Sequence, residues 1–145
     1  MPEAPEGVNP DDRRYSDQHQ WIKVHVDGAY RIGVTWWEHQ RLVAPIHVEM
    51  PDVGEHLDAG EMYGMVECML GAIGELRAPV AGRVVAVNEE FVADPEMLYV
   101  YDEPYESWLI AVVPDDVGDL DRLLDAGGYT ERTKYAREWG FGGVE

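Results

Sequence analysis

The alternation of apolar and polar residues along the chain predicts a mainly β protein. Residues 21–26 alternate and are rich in β-branched side chains, Asp27-Gly28 is typical of a hairpin turn, and residues 29–34 form the predicted return strand. The same signals predict strands at residues 46–50, 62–69, 83–88 and 108–113. Six or seven short strands separated by turns indicate a small sandwich or barrel. The apolar positions expected in the core are Trp21, Val34, Val48, Val66, Val84, Val87 and Leu109.

A short helix is predicted between the early strands. Thr35 followed three residues later by Glu38 has the spacing of a capping box, in which each residue satisfies a backbone N–H of the other. Pro45 cannot continue a helix, so the segment over residues 35–42 ends before it. This segment is expected to flank the β structure.

The C-terminal part has the pattern of two further helices. The first begins after a capping Asp115 or Asp116 and ends at Gly127-Gly128, because glycine commonly terminates helices. The second begins at Thr130 and runs to Trp139. The expected apolar face of the first helix is Val117, Leu120, Leu123 and Leu124.

These patterns divide the chain into three parts. Residues 1–14 are acidic and Pro-rich with almost nothing to bury, so we expect a flexible acidic arm. Residues 15–129 hold all the predicted strands and form one domain. Residues 130–145 are expected to add a C-terminal helix and a tail.

Charge narrows the possible functions. The 145 residues include 29 acidic and 11 basic side chains, for a net charge of −18. Such a surface repels phosphate backbones and anionic bilayers, so we expect no nucleic-acid partner and no direct membrane insertion. No apolar stretch reaches the ~18 residues of a membrane span, and the N-terminus lacks the basic start of a signal peptide. The expected location is the cytoplasm.

An ordered series of short motifs resembles the H protein of the glycine cleavage system. The first is Tyr15-Ser16-x-x-His19-x-Trp21, followed by Ile32-Gly33-Val34-Thr35 and by Met50-Pro51-x-Val53-Gly54. The second group is Ala59-Gly60-Glu61-x-x-Gly64-x-Val66-Glu67 and then Ala78-Pro79-Val80-Ala81-Gly82. The resemblance covers about residues 15–129. It implies a barrel-sandwich hybrid of two small sheets with flanking helices, and a carrier rather than an enzyme. The position of His19 in the first motif implies a structural hydrogen bond.

The resemblance fails where the family attaches its lipoyl arm. Family members have Glu-Ser-Val-Lys-Ala at a hairpin tip, whereas this chain has Glu67-Cys68-Met69-Leu70-Gly71. Counting forward from Glu67 places Leu70 at the lysine position, and counting back from Pro79 places Gly71 there. Lipoate attachment needs a nucleophilic amine, which neither residue has. We therefore expect a degenerate attachment position and no lipoate cofactor.

Other chemistries have weaker support in the sequence. Cys68 is the single cysteine; it is a candidate thiol for attachment, although a lone cysteine in an apolar strand is usually a core residue. The five histidines are scattered without ligand spacing, so no metal site is expected. No nucleophile elbow, phosphate loop or dinucleotide motif is present, and we expect no enzymatic activity.

The sequence favours a non-enzymatic binding, scaffold or accessory subunit. Its docking surface is the hairpin tip, formed by Met69, Leu70, Ala72 and Ile73, although packing of the tip onto the body is an alternative. The expected partner is another protein or complex, with glycine-cleavage, lipoate-attachment and redox components as candidates. Two other hypotheses remain for the function. The chain could be a carrier modified at Cys68 or Lys23, or a pseudo-carrier that regulates lipoyl proteins by competing for their partners.

Overall fold

Two antiparallel sheets dominate the computed structural model, which describes residues 9–96 and 104–138, with side chains up to residue 134. The six-stranded sheet has the order β1-β2-β3-β9-β8-β5, and the three-stranded sheet has the order β4-β6-β7. The predicted mainly β barrel-sandwich hybrid is confirmed. The strands are β1 (Arg14–Tyr15), β2 (Gln20–Val24), β3 (Tyr30–Val34), β4 (Pro45–Glu49), β5 (His56–Leu57), β6 (Met62–Cys68), β7 (Ile73–Arg77), β8 (Gly82–Val87) and β9 (Ile110–Pro114).

The hairpin between β2 and β3 forms where the turn signal predicts it. Gly28 has a φ of +90°, which side chains with a Cβ rarely adopt, and the Asp27 side chain accepts a hydrogen bond from the Ala29 N–H at 3.0 Å. The resulting register places Ile22 opposite Ile32 and Lys23 opposite Arg31. Because side chains alternate along a strand, the two isoleucines face the core and the two cations lie on the other face of the sheet.

The main core lies between the two sheets. Of the seven predicted core residues, Val34, Val48, Val66, Val84 and Leu109 are buried in this cluster. Val87 is half-buried and packs against it. Trp21 is also buried, but it belongs to a second cluster with Tyr15 and Tyr129 on the other side of the six-stranded sheet. The predicted burial is therefore confirmed except at Val87. Trp21 and its neighbour Ile22 belong to different clusters because successive side chains of a strand point to opposite faces of the sheet.

The first helix is shorter than predicted. α1 spans Trp36–His39, and the Thr35 side chain caps it by accepting from the Glu38 N–H at 3.3 Å. The reciprocal half of the expected capping box is replaced by another bond, since the Thr35 N–H donates to the His19 carbonyl at 3.1 Å. The Glu38 side chain is instead buried. A second short helix, α2 (Glu89–Ala93), was not predicted.

The first predicted C-terminal helix is wrong in type and extent, whereas the second is a helix that begins earlier than predicted. Val117–Arg122 is a 3₁₀ helix capped by Asp116, and Leu124 instead pairs with Tyr15 as an isolated β bridge. The final helix, α3 (Ala126–Glu138), begins four residues before Thr130 and contains the glycines expected to end the preceding helix. Asp125 explains the early start, because its side chain accepts from the Gly128 N–H at 2.8 Å. The predicted continuation to Trp139 and the tail fall outside the described residues, as do residues 1–8 of the predicted arm.

Candidate functional site at the hairpin between β6 and β7

The hairpin joining β6 and β7 presents an apolar tip, defined as Met69, Leu70, Ala72 and Ile73. Leu70 is 94% exposed, Met69 63% and Ile73 58%, and Ala72 is exposed as well. Gly71 lies between them with a φ of +95°, so glycine relieves the strain of the turn. Its N–H donates to the Cys68 carbonyl at 3.0 Å. None of the four side chains of the tip is buried by the described residues.

The hairpin that carries the tip contacts α1 and the segment between α1 and β4. The Met69 N–H donates to the Ala44 carbonyl at 2.9 Å, which ties the tip to the loop before β4. Beneath the hairpin, a Cβ added at Gly74 would lie 2.4 Å from Cδ2 of Leu42 and 3.5 Å from Oε2 of Glu38. The absence of a side chain at Gly74 therefore lets β7 pass directly over α1 and the segment that follows it.

Glu38 lies beneath β7, and the burial of its carboxyl group was not predicted. Its side chain is only 10% exposed, and burial raises its pKa to about 7, opposed by the nearby Arg41 guanidinium. The closest ion-pair distance between them is 3.8 Å, from Nη1 of Arg41 to Oε1 of Glu38. The spacing of Thr35 and Glu38 predicted only a capping role for Glu38. Its burial depends on β7 crossing above it, and the local pattern contains no signal for that crossing.

Cys68 faces inward at the base of the tip. The residue is 3% exposed and belongs to the main core. Burial raises the pKa of its thiol, and the nearby Glu38 carboxylate raises it further. Because attachment and redox chemistry need an accessible thiolate, this environment favours a packing role for Cys68.

The two lysines of the sequence lie away from the tip. Lys23 is on β2, where its side chain is 42% exposed and its Nζ lies 3.0 Å from Oδ2 of Asp12. Lys134 is exposed on α3. No other lysine occurs in the chain, so the tip segment between Glu67 and Gly74 offers no side-chain amine.

The first motif has a structural role. Nδ1 of His19 lies 2.7 Å from the Tyr129 hydroxyl, which is also 2.7 Å from Oγ1 of Thr35. Burial lowers the pKa of His19 to about 4, so the imidazole is neutral at pH 7. This network joins the segment before β2, the cap of α1 and the start of α3. The hydrogen bond expected for His19 is thus present.

Among the described residues, no group of three or more His, Cys, Asp or Glu side chains has a geometry that could hold a metal ion. In the same part of the chain, no helix is long and apolar enough to cross a membrane.

The fold and the protruding hairpin define a carrier-type domain of the lipoyl-domain class. Comparison with known proteins specifies it further, since the sequence model of the family "Glycine cleavage H-protein" matches residues 13–136. This chain therefore belongs to the glycine cleavage H-protein family. H proteins of this family are carriers in glycine cleavage and not themselves enzymes, so the expectation of a non-enzymatic protein is confirmed.

Similar proteins support the same assignment along nearly the whole chain. The glycine cleavage system H protein of Geobacillus sp. (strain WCH70) is 42% identical over 126 residues, which cover 86% of this chain and 96% of the relative. Glycine cleavage system H protein 2 of Pseudomonas putida is 38% identical, and the matched region covers 83% of this chain and 92% of the relative. The crystal structure of the H protein from Mycobacterium marinum has a TM-score of 0.71 and 34% identity, covering 90% of this chain and 98% of that one.

The family assignment corrects one expectation from the sequence. We predicted that lipoate is absent, but the relatives are glycine cleavage H proteins, which normally carry a lipoate cofactor. The prediction is therefore wrong. It inferred the absence of the cofactor from the absence of one amine, although Lys23 and Lys134 also supply amines.

Proposed function

We propose that this chain is a binding subunit of the glycine-cleavage type that docks a partner protein through its apolar tip, with no lipoyl arm at the tip itself. The observation that carries the docking proposal is the exposure of Leu70, at 94%, beside Met69 and Ile73. Proteins rarely expose an apolar cluster of this kind without a use. The proposed partners are other glycine-cleavage proteins and the enzymes that attach lipoate; a cytoplasmic location stays a prediction.

The surroundings of the tip extend the apolar surface. Ala44 accepts a hydrogen bond from the Met69 N–H. In the same segment, Val43 is 49% exposed and Ile46 is 50% exposed. Ile73 pairs with Glu67 across the hairpin, which puts a carboxylate beside the apolar cluster. An apolar centre with a polar rim is the usual anatomy of a protein interface.

Leu70→Glu tests the docking proposal. We expect the melting temperature to stay unchanged, because Leu70 makes little contact in the free protein. Binding to purified glycine-cleavage proteins should weaken by about 2 kcal/mol or more, the typical loss at an interface anchor. Calorimetric unfolding and titration calorimetry measure the two effects.

Val26→Glu is the matched control. Val26 is 96% exposed in the turn between β2 and β3, so this variant introduces the same charge at an exposed apolar position outside the tip. It should leave both stability and binding as in the wild type. If Leu70→Glu melts earlier yet binds as tightly as the unmodified chain, the tip is a packing element and the docking proposal is wrong.

Peptide mapping tests the position of a lipoyl group. The tryptic peptide of residues 42–77 contains the whole hairpin and no lysine. After incubation with lipoate and a lipoate ligase, we expect this peptide to keep its unmodified mass. Any amide-linked lipoyl group should be found on Lys23 or Lys134, and Lys23→Arg and Lys134→Arg separate these two acceptors. A lipoyl adduct within residues 42–77 would exclude the proposed position.

A further inference from the structure

A pocket on the outer face of the six-stranded sheet gathers cationic side chains in a strongly acidic protein. The pocket has a volume of about 220 Å³, and Arg13, Lys23, Arg31 and His25 line it. Three of the chain's 11 basic residues thus meet at one place, while the net charge of the chain is −18. From composition alone, carboxylates are expected to outnumber cations on the surface of this protein.

The strand register makes the arrangement more unusual. Lys23 and Arg31 are direct partners across β2 and β3. Like charges placed directly opposite each other in an antiparallel pair destabilise the sheet. A purely structural pair at this position would combine opposite charges. A local arrangement that opposes folding is characteristic of functional sites.

The carboxylates near the pocket do not cancel its charge. Asp12 is shared: its Oδ1 lies 2.8 Å from Nε of Arg13, and its Oδ2 lies 3.0 Å from Nζ of Lys23. The proximity of these two cations lowers the pKa of Asp12, so this carboxylate is ionised. Glu106 also lines the pocket. Among the described residues around the pocket, three permanent cations face two carboxylates, and no described carboxylate lies within ion-pair distance of Arg31.

Aromatic rings hold the guanidinium groups in place. The Arg31 guanidinium lies 4.7 Å from the ring centroid of Trp108, and that of Arg13 lies 4.7 Å from Trp21 and 5.3 Å from Tyr105. Stacking fixes a guanidinium plane while leaving its edge N–H groups able to form hydrogen bonds. In Arg13 these groups are engaged, because Nε lies 2.8 Å from Oδ1 of Asp12 and Nη1 donates to the Tyr105 carbonyl at 2.9 Å, so the anion is expected at Arg31. The rings also provide an apolar wall beside the charges, which strengthens electrostatic contacts within the pocket.

We propose that this pocket binds a small organic anion, with its carboxylate or phosphate group against Arg31 and Lys23 and its carbon skeleton against Trp108. The pocket volume lies below the roughly 300–1,000 Å³ typical of sites for drug-sized ligands, so the ligand is small. The site lies on β2 and β3 and does not include the apolar tip. The proposal therefore stands independently of the docking function.

The test titrates the full, unacylated chain with sodium benzoate and, separately, with sodium phosphate. Ionic strength is held constant with chloride, and tryptophan fluorescence and titration calorimetry report binding. We expect saturable binding of at least one of the two anions in the millimolar range. Arg31→Gln should weaken it about tenfold or more, the loss expected for one charge-assisted hydrogen bond. The relative response to the two probes distinguishes a carboxylate ligand from a phosphate ligand.

Two further variants make the result decisive. Lys23→Gln should also weaken binding, and it replaces Arg31→Gln if that variant does not fold. Arg122→Gln is the matched control, because this substitution removes the same charge outside the pocket. The Arg122 side chain is 78% exposed on the 3₁₀ helix. The proposal is overturned if neither anion binds saturably, or if binding is equal in the wild type and in a folded Arg31→Gln or Lys23→Gln variant.

Discussion

Val66→Asp is expected to unfold the protein. Val66 is 1% exposed on the middle strand of the three-stranded sheet, where it pairs with Val48 on one side and Gly74 on the other. An aspartate there would bury a charge with no partner, in place of a side chain that packs in the main core. We expect a loss of roughly 5 kcal/mol or more, which is comparable to the whole stability of many small domains.

Circular dichroism and urea denaturation measure this effect. Met62→Asp is the control on the same strand, because Met62 is 46% exposed and an aspartate there keeps its contact with water. It should cost about 1 kcal/mol or less. A Val66→Asp variant that melts cooperatively within that same margin of the wild type would contradict the assignment of Val66 to the core.

Glu38 is expected to make the stability of the protein fall as pH rises from about 4.5 to about 7. Burial raises the pKa of Glu38 in the folded state from 4.5 to about 7, so the folded state holds this proton more tightly than the unfolded state. Below both values the carboxyl is protonated in either state and costs nothing. Above both values it is ionised in either state, and the folded protein bears the full cost of the buried charge, which is roughly 3 kcal/mol.

Glu38→Gln should remove this contribution. Urea denaturation at pH 5 and pH 8 gives the free energy of unfolding of each protein, and the variant should gain relative to the wild type between the two values. Glu131→Gln is the control, since Glu131 is exposed on α3. It should show the same pH dependence as the wild type. Parallel pH profiles for Glu38→Gln and the wild type would show that Glu38 titrates with an ordinary pKa.

Local sequence patterns were sufficient to predict most of the strands. Alternation identified β2 and β3, and Asp27-Gly28 fixed the turn between them, because the side-chain period and the φ of a glycine are properties of neighbouring residues. The strand β7 was missed, because Gly74 interrupts its pattern. The two-residue strands β1 and β5 were missed as well, since two residues cannot show a period. Their existence depends on pairing with β2 and β8.

The C-terminal helices show where local rules compete. Gly127-Gly128 has the composition of a helix end, yet both glycines lie in the first turn of α3. The cap provided by Asp125 starts the helix earlier, and the bridge between Leu124 and Tyr15 keeps the preceding residues extended. That bridge joins residues far apart in the sequence, so no local pattern could have predicted it.

Residue identity and short spacing were enough to predict most of the strand pattern, the cap at Thr35 and the absence of a lysine from the hairpin tip. The folded arrangement of distant segments set which residues share an environment. It buried Glu38 by passing β7 above α1, and it brought Arg13, Lys23 and Arg31 together with Trp108 on the outer face of a sheet. The physical reason is that burial and electrostatic environment depend on contacts between distant segments, and only the folded chain makes those contacts.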